Sequence, residues 1–358
     1  QLSIAIFFIW ALLVTAGGII LNGNPPDVAL REILNLLPLL ILPLLYERYI
    51  KTDSKEETTI FWFVLIAGFI IILGDFWIIH NNIVKAVYLY EMGRAVLDMA
   101  AICLIILAMV SFLMSEHPWY LTVCAIIFLL LGIGGLLISF TRSMYIWTFL
   151  VALLMLAMGS RRERRIGLKN LSIATIVGIV ILAPVYLTWK LLRLLMFSYL
   201  GRLLTTEHFT SDLSLRMRFS EWRGEWHAIT QSPILGHGFG ASFRSFDIVH
   251  YYHVWLSFSH NSYLYIIFKT GFIGGILFLI PTAIILYKGL RLVRSPHLSS
   301  RARMVLRAVV ASTIVILFGA FTGPTFDSKT AIAWLALGWG YILSADRANR
   351  HNIHEIEV

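Results

Sequence analysis

Ser259-His260-Asn261 stands at the mouth of a long apolar run that opens Tyr263-Leu264-Tyr265. A histidine placed there exchanges protons with water near neutral pH, so His260 reads as a candidate general base, with an inert interfacial residue as the alternative. Asn261 is a natural N-cap for the helix that the apolar run predicts. Upstream, Arg216, Arg218 and Arg223 surround Glu221, Trp222 and Glu225. Guanidinium groups offer a planar, permanently charged fork to phosphate oxygens. The cluster therefore reads either as a phosphate site or as a salt-bridge net in which both glutamates pair with arginines. In a helix Arg218 falls four residues before Trp222, on nearly the same face. Arg142, in Ser139-Phe-Thr-Arg142-Ser143, lies between two apolar runs. An arginine in that position reaches water, pairs or binds a ligand; a headgroup anchor is the bland reading.

Other patterns narrow the chemistry. Pro233-Ile-Leu-Gly236-His-Gly238-Phe-Gly240 alternates glycine with larger residues, which allows a tight backbone path beside a ligand or another helix. It is not followed by the Lys-Ser/Thr of a nucleotide loop, and no βαβ pattern encloses it. His250-Tyr-Tyr-His253 has no adjacent acidic partner and no HExxH pattern, so no metal site is assigned. Asp75, Asp98 and Asp327 are isolated, and the Asp-x-Asp pair that holds a metal-nucleotide sugar does not occur.

These residues need a scaffold, and composition names its class. Of 358 residues, 58% are hydrophobic and 14% charged, and the mean hydropathy is +0.79. A soluble domain carries roughly 25% charged residues, so this is an integral membrane protein. The net charge of +9 falls in short clusters between apolar runs, a pattern of membrane orientation and not of nucleic-acid binding. Cys103 and Cys124 both lie inside apolar runs and provide no disulfide framework. The chain opens at Gln1 in an apolar run without the basic start of a signal peptide, which suits a beginning inside a longer protein with earlier spans ahead of it.

Apolar runs long enough to cross about 30 Å of hydrocarbon occur near 2–21, 28–46, 59–79, 95–114, 120–140, 143–159, 171–189, 264–287, 305–323 and 331–345. The fold expected is all-α and polytopic, with about ten transmembrane helices. Basic clusters at Arg48/Lys51/Lys55, Arg161 to Arg165, Lys288 to Arg303 and Arg347/Arg350 are each separated by an even number of spans, which places all four on the cytoplasmic side. The opposite face then receives Arg142 and one large segment, Lys190 to Asn261. The organisation expected is helices over 1–189, a large periplasmic loop over 190–263 and helices with a cytoplasmic tail over 264–358. Within the loop, Lys190 to Leu204 suits a helix lying in the headgroup layer or a snorkelling extension of the preceding span. Arg216 to Gln231 predicts a helix stopped by Ser232-Pro233. No internal repeat or low-complexity tract is present, and no polar segment is long enough for a second soluble domain.

In order, Arg218-Phe-Ser-Glu-Trp222, Ser232-Pro233-Ile-Leu-Gly236-x-Gly238-x-Gly240, His260-Asn261-x-x-Leu264 and Gly271-x-x-Gly274 resemble the O-antigen ligase/polymerase superfamily, most of all its ligases. The match is close over about 216–279; the Ser-Arg element of the family is met by Thr141-Arg142. The resemblance implies a GT-C-type glycosyltransferase of the bacterial inner membrane with its site facing the periplasm. It implies a donor glycan on undecaprenyl diphosphate and no metal or other cofactor. Family members commonly have about twelve spans, more than the ten counted.

On that footing His260 is expected to act as general base. Arg142, Arg218 and Arg216 are expected to hold the donor diphosphate, with Asn261, Trp222, Gly236, Gly238 and Gly240 in support. A ligase would use lipid A-core oligosaccharide as acceptor; a polymerase would use a second lipid-linked repeat. One dominant outer loop favours the ligase. A transporter would instead show paired, broken helices with charges near the bilayer midplane, whereas the charges stand at the ends of the apolar runs.

Overall fold

The computed structural model describes residues 2–50, 99–138, 142–188 and 213–357, with short helical pieces between 59 and 77. The chain is mostly helical: α1 (Leu2–Asn22), α2 (Pro26–Leu36), α3 (Pro38–Tyr49), α4 (Met99–Leu113), α5 (Trp119–Ile138), α6 (Arg142–Met158), α7 (Arg161–Thr188), α8 (Leu213–Gln231), α9 (Ser262–Leu292), α10 (Ser300–Gly319) and α11 (Lys329–Glu357). Five helical stretches among the described residues are long and apolar enough to cross a membrane, namely Leu2–Asn22, Pro26–Tyr49, Trp119–Leu136, Ser262–Leu292 and Ser300–Gly319. Ala100–Leu113 and Ser143–Met158 are shorter apolar helices. This is a polytopic membrane protein.

Each apolar run of the sequence, where it is described, falls on a helix. The run over 28–46 is divided, because Pro38 lacks an N–H and starts a new helix directly after Leu37. The proposed headgroup-layer helix over 190–204 lies outside the described residues. One departure from all-helical structure is an antiparallel hairpin of β1 (Phe243–Asp247) and β2 (Tyr252–Leu256), with Arg244 opposite Trp255 and Phe246 opposite His253. Its turn uses Tyr251 at φ 59°.

The helices divide into two compact units. Unit 1 takes Gln1–Ile50, His208–Arg291 and Ile316–Arg347; unit 2 takes Lys51–Glu207, Leu292–Val315 and Ala348–Val358. In unit 2, α4 is buried along nearly its whole length, and Asn170 caps it by donating to the Leu113 carbonyl at 2.8 Å. Arg307 is 1% exposed and pairs with Glu163 at 2.6 Å.

Unit 1 is organised around a break in α9. Gly271 adopts φ 68°, ψ 179° inside this helix, a left-handed conformation open to glycine at little cost. The break frees backbone groups that a membrane helix must satisfy internally, and the glycine loop satisfies them. The amides of His237 and Gly238 donate to the carbonyls of Phe268 and Lys269 at 2.9 and 2.8 Å, and the Phe272 amide donates to the Pro233 carbonyl at 2.8 Å. Trp10 of α1 donates to the Thr270 carbonyl at 2.9 Å.

A second set of bonds fixes the loop from α1 and α2. Asn24 donates to the His237 carbonyl at 2.8 Å, and the Gly240 amide donates to Glu32 at 2.8 Å. Glu32 in turn pairs with Lys269, which is 0% exposed, at 2.8 Å, and Lys269 also donates to the Ala241 carbonyl at 2.7 Å. The expectation that charges stand only at the ends of the apolar runs is thus corrected: Lys269 lies inside one. It is tolerated there because a buried cation is stable when paired and fully hydrogen-bonded.

An alanine Cβ at Gly271 would lie 2.0 Å from the Ile234 carbonyl oxygen. Gly271→Ala is therefore expected to lose at least ~2 kcal/mol from the left-handed conformation and the collision together. Gly17→Ala, with nothing within 4 Å, is expected to melt at or above the wild-type temperature. Thermal unfolding in detergent compares the two, and equal melting temperatures for Gly271→Ala and wild type would contradict the docking.

Candidate active site

α8 forms because Leu213 to Gln231 carries only one glycine and no proline until Pro233 ends it. Gly224 is needed where the helix meets the hairpin: a Cβ there would lie 2.4 Å from the Arg244 carbonyl oxygen. Ser220 donates to the Phe246 carbonyl at 2.8 Å from the same face. Ile229, Ala241, Phe243 and Phe268 form the apolar cluster under this contact. The hairpin's alternation follows, with Phe243 and Ser245 buried and Arg244 exposed.

Held in this way, α8 points two carboxylates at the start of α9. Glu221 accepts the His260 backbone amide at 2.5 Å and lies 2.8 Å from His260 Nδ1. The carboxylate selects the tautomer with the proton on Nδ1 and leaves Nε2 as a lone-pair acceptor. The imidazole is 36% exposed, while Glu221 is 8% exposed. A buried carboxylate holding a half-open imidazole is an arrangement suited to taking a proton from a hydroxyl group.

One turn later, Glu225 is 0% exposed and accepts the Ser259 hydroxyl at 2.7 Å. Ser259 Oγ also accepts the Asn261 amide at 3.0 Å. Asn261 caps α9, its side-chain oxygen accepting the amides of Tyr263 and Leu264 at 3.1 and 3.2 Å, the role its residue type predicts. Ser262 fixes the same helix start by donating to the Gly323 carbonyl at 2.8 Å.

Burial pushes the Glu225 carboxyl up to about 8; the Ser259 hydrogen bond opposes this, the Glu221 charge adds to it and Lys269 opposes it. Glu225 thus holds its proton at pH 7. Between about 4.5 and about 8 the folded protein keeps a proton that the unfolded chain has released, so Glu225 makes stability fall as pH rises through that window. Glu225→Gln is expected to remove this slope, on the order of a few kcal/mol across the window. Melting temperatures from pH 5 to 8.5 check it; an unchanged slope would contradict the protonated state.

The remaining predicted residues fall as follows. Arg218, Glu221 and Glu225 share one face of α8, being three and seven residues apart. Arg216 and Arg223, seven apart, share another and are both exposed. The two glutamates accept hydrogen bonds from His260 and Ser259. Trp222 is half-buried and meets Phe219 edge-on at 5.4 Å. Gly236, Gly238 and Gly240 have φ 75°, 80° and 82°, and they serve the docking of the loop onto α1, α2 and α9. His237 donates from Nε2 to the Ala228 carbonyl at 2.8 Å. His250 lies 2.9 Å from Asp247. Among the described residues no group of three or more His, Cys, Asp or Glu side chains is placed to hold a metal ion. Arg142 is the first residue of α6, in unit 2, and its side chain lies outside the described residues.

Residues 125–279 match the family model described as O-Antigen ligase. The chain carries an O-antigen ligase family domain. No curated protein matches the chain. The domain runs from α5 into α9 and contains Arg142, Arg216, Arg218, the glycine loop and His260. It also contains Glu221, Glu225 and Ser259, to which the sequence alone gave no part in the chemistry. The match indicates an O-antigen ligase-like function, that of a glycosyltransferase-like ligase or polymerase, and implies lipid-linked glycan substrates.

Proposed function

We propose that the O-antigen ligase family domain transfers a glycan from undecaprenyl diphosphate to lipid A-core oligosaccharide at the periplasmic face of the inner membrane. The observation that carries this reading is the Glu221–His260 pair, a carboxylate bound to Nδ1 at 2.8 Å with the ring half open. His260 Nε2 removes the proton from an acceptor hydroxyl. The oxygen attacks the anomeric carbon as the bond to the diphosphate oxygen breaks, and undecaprenyl diphosphate leaves with the electron pair. A single in-line displacement inverts that carbon. Glu221 offsets the positive charge arising on the imidazole. Arg218, on the Glu221 face of α8, contacts the diphosphate together with Arg216, and these guanidinium groups stabilise the departing charge without a metal or other cofactor.

The test is transfer by purified protein from a lipid-linked glycan, with lipid A-core or a second lipid-linked glycan as acceptor and with excess EDTA. Undiminished transfer to lipid A-core is expected. Elongation of the second lipid-linked glycan alone would make the protein a polymerase. Loss of activity with EDTA, restored by Mg²⁺ or Mn²⁺, would overturn the arginine account. Arg218→Ala is expected to lose donor binding and roughly 10²–10³ in turnover. Lysine at this position should restore part of this, because a point charge lacks the planar fork. Arg223→Ala, two turns along α8 from Arg216, should be close to wild type.

A further inference from the structure

Unit 2 contains a cavity of about 1120 Å³ whose polar wall includes Arg162, Arg294, Arg301 and Arg303. Two of the four basic clusters in the sequence meet in this wall. Its acidic members among the described residues are Glu116 and Glu163, and each is engaged by an arginine: Glu116 by Arg162 at 2.7 Å and Glu163 by Arg307 at 2.6 Å. Among the described lining residues arginines outnumber glutamates, with Arg294 and Arg301 exposed and Arg303 half-buried. Arg303 is held in place by the Ser295 and Leu298 carbonyls at 3.2 and 2.9 Å.

The other side of the cavity is apolar. Trp62, Phe112 and Leu121 line it, and the same three residues line an adjoining apolar slot of about 90 Å³ that continues past Ile105, Cys124 and Phe128. A basic chamber opening into an apolar slot matches an amphiphile with an anionic head, not a free anion, whose binding would gain nothing from the slot. It also disfavours a zwitterionic head, since both glutamates that would meet a choline or ethanolamine already hold arginines.

We propose that this cavity binds one anionic membrane phospholipid, with its phosphate among Arg294, Arg301 and Arg303 and the first methylenes of a chain in the slot beside Cys124. Basic pockets between membrane helices hold lipid headgroups in this way. The positive-inside bias of the two clusters assigns the lipid to the cytoplasmic leaflet. This occupant is independent of the glycan donor and of the chemistry at His260.

The experiment offers delipidated protein an equimolar mixture of phosphatidylglycerol and phosphatidylcholine with matched chains and counts retained lipid by native mass spectrometry. Wild type is expected to retain one phosphatidylglycerol in roughly tenfold preference. Arg294→Gln with Arg301→Gln should bring the two lipids towards parity. Cys124→Trp, at an exposed position of the slot, should weaken retention of both lipids and leave their ratio unchanged. Millimolar inorganic phosphate should displace neither. Equal retention of the two lipids by wild type, an unchanged preference in the double arginine variant, or displacement by phosphate would overturn the proposal.

Discussion

His260→Ala is expected to lower glycosyl transfer by ~10³ or more, the upper part of the range for a positioned general base. The expectation rests on placement. Asn261 caps α9, Ser259 is bound by Glu225 and Ser262 by the Gly323 carbonyl, so the backbone at residue 260 is fixed on both sides. Removing the imidazole leaves that backbone in place, and the loss falls on the proton transfer. Initial rates with saturating donor and acceptor measure it, and retention of most of the activity would remove His260 from the chemistry.

Glu221→Gln is expected to cost at least ~10² in kcat with the KM for donor little changed. A carboxylate accepts two hydrogen bonds from His260, one from the backbone amide at 2.5 Å and one from the ring at 2.8 Å. Glutamine has one oxygen to accept and an NH₂ that donates. If the oxygen keeps the backbone amide, the NH₂ faces Nδ1 and selects the tautomer with Nε2 protonated, which cannot take a proton. Loss of orientation of this kind lowers kcat by ~10⁴ in the Ser-His-Asp triad; a more exposed ring justifies a smaller figure here. A variant that raised KM without lowering kcat would make Glu221 a binding residue instead of a positioning one.

The sequence revealed the parts of this structure that membrane physics dictates locally. Apolar runs became helices because the bilayer leaves the backbone no other way to satisfy its groups. Pro233 stopped α8 and Asn261 capped α9, both effects of one residue on its neighbours. The partners of those residues were not legible. Glu221 and His260 are 39 residues apart, and Glu32 and Lys269 are 237 apart; neither spacing carries a periodicity. Glu221 and Glu225 beside three arginines read naturally as a local salt-bridge net, yet tertiary contacts took both carboxylates. The break at Gly271 was hidden for a similar reason, since an isolated glycine within an apolar run is compatible with an unbroken helix. Only the glycine loop, arriving from 35 residues upstream at Gly236, makes the broken form the stable one.

The central claim is that a carboxylate-held His260 performs the chemical step while the arginines hold the donor. Donor binding and single-turnover transfer, measured side by side on folded, detergent-purified His260→Ala, test it most directly. Near-normal donor affinity with transfer almost abolished is expected. Near-wild-type transfer, or a parallel loss of donor affinity, would contradict it.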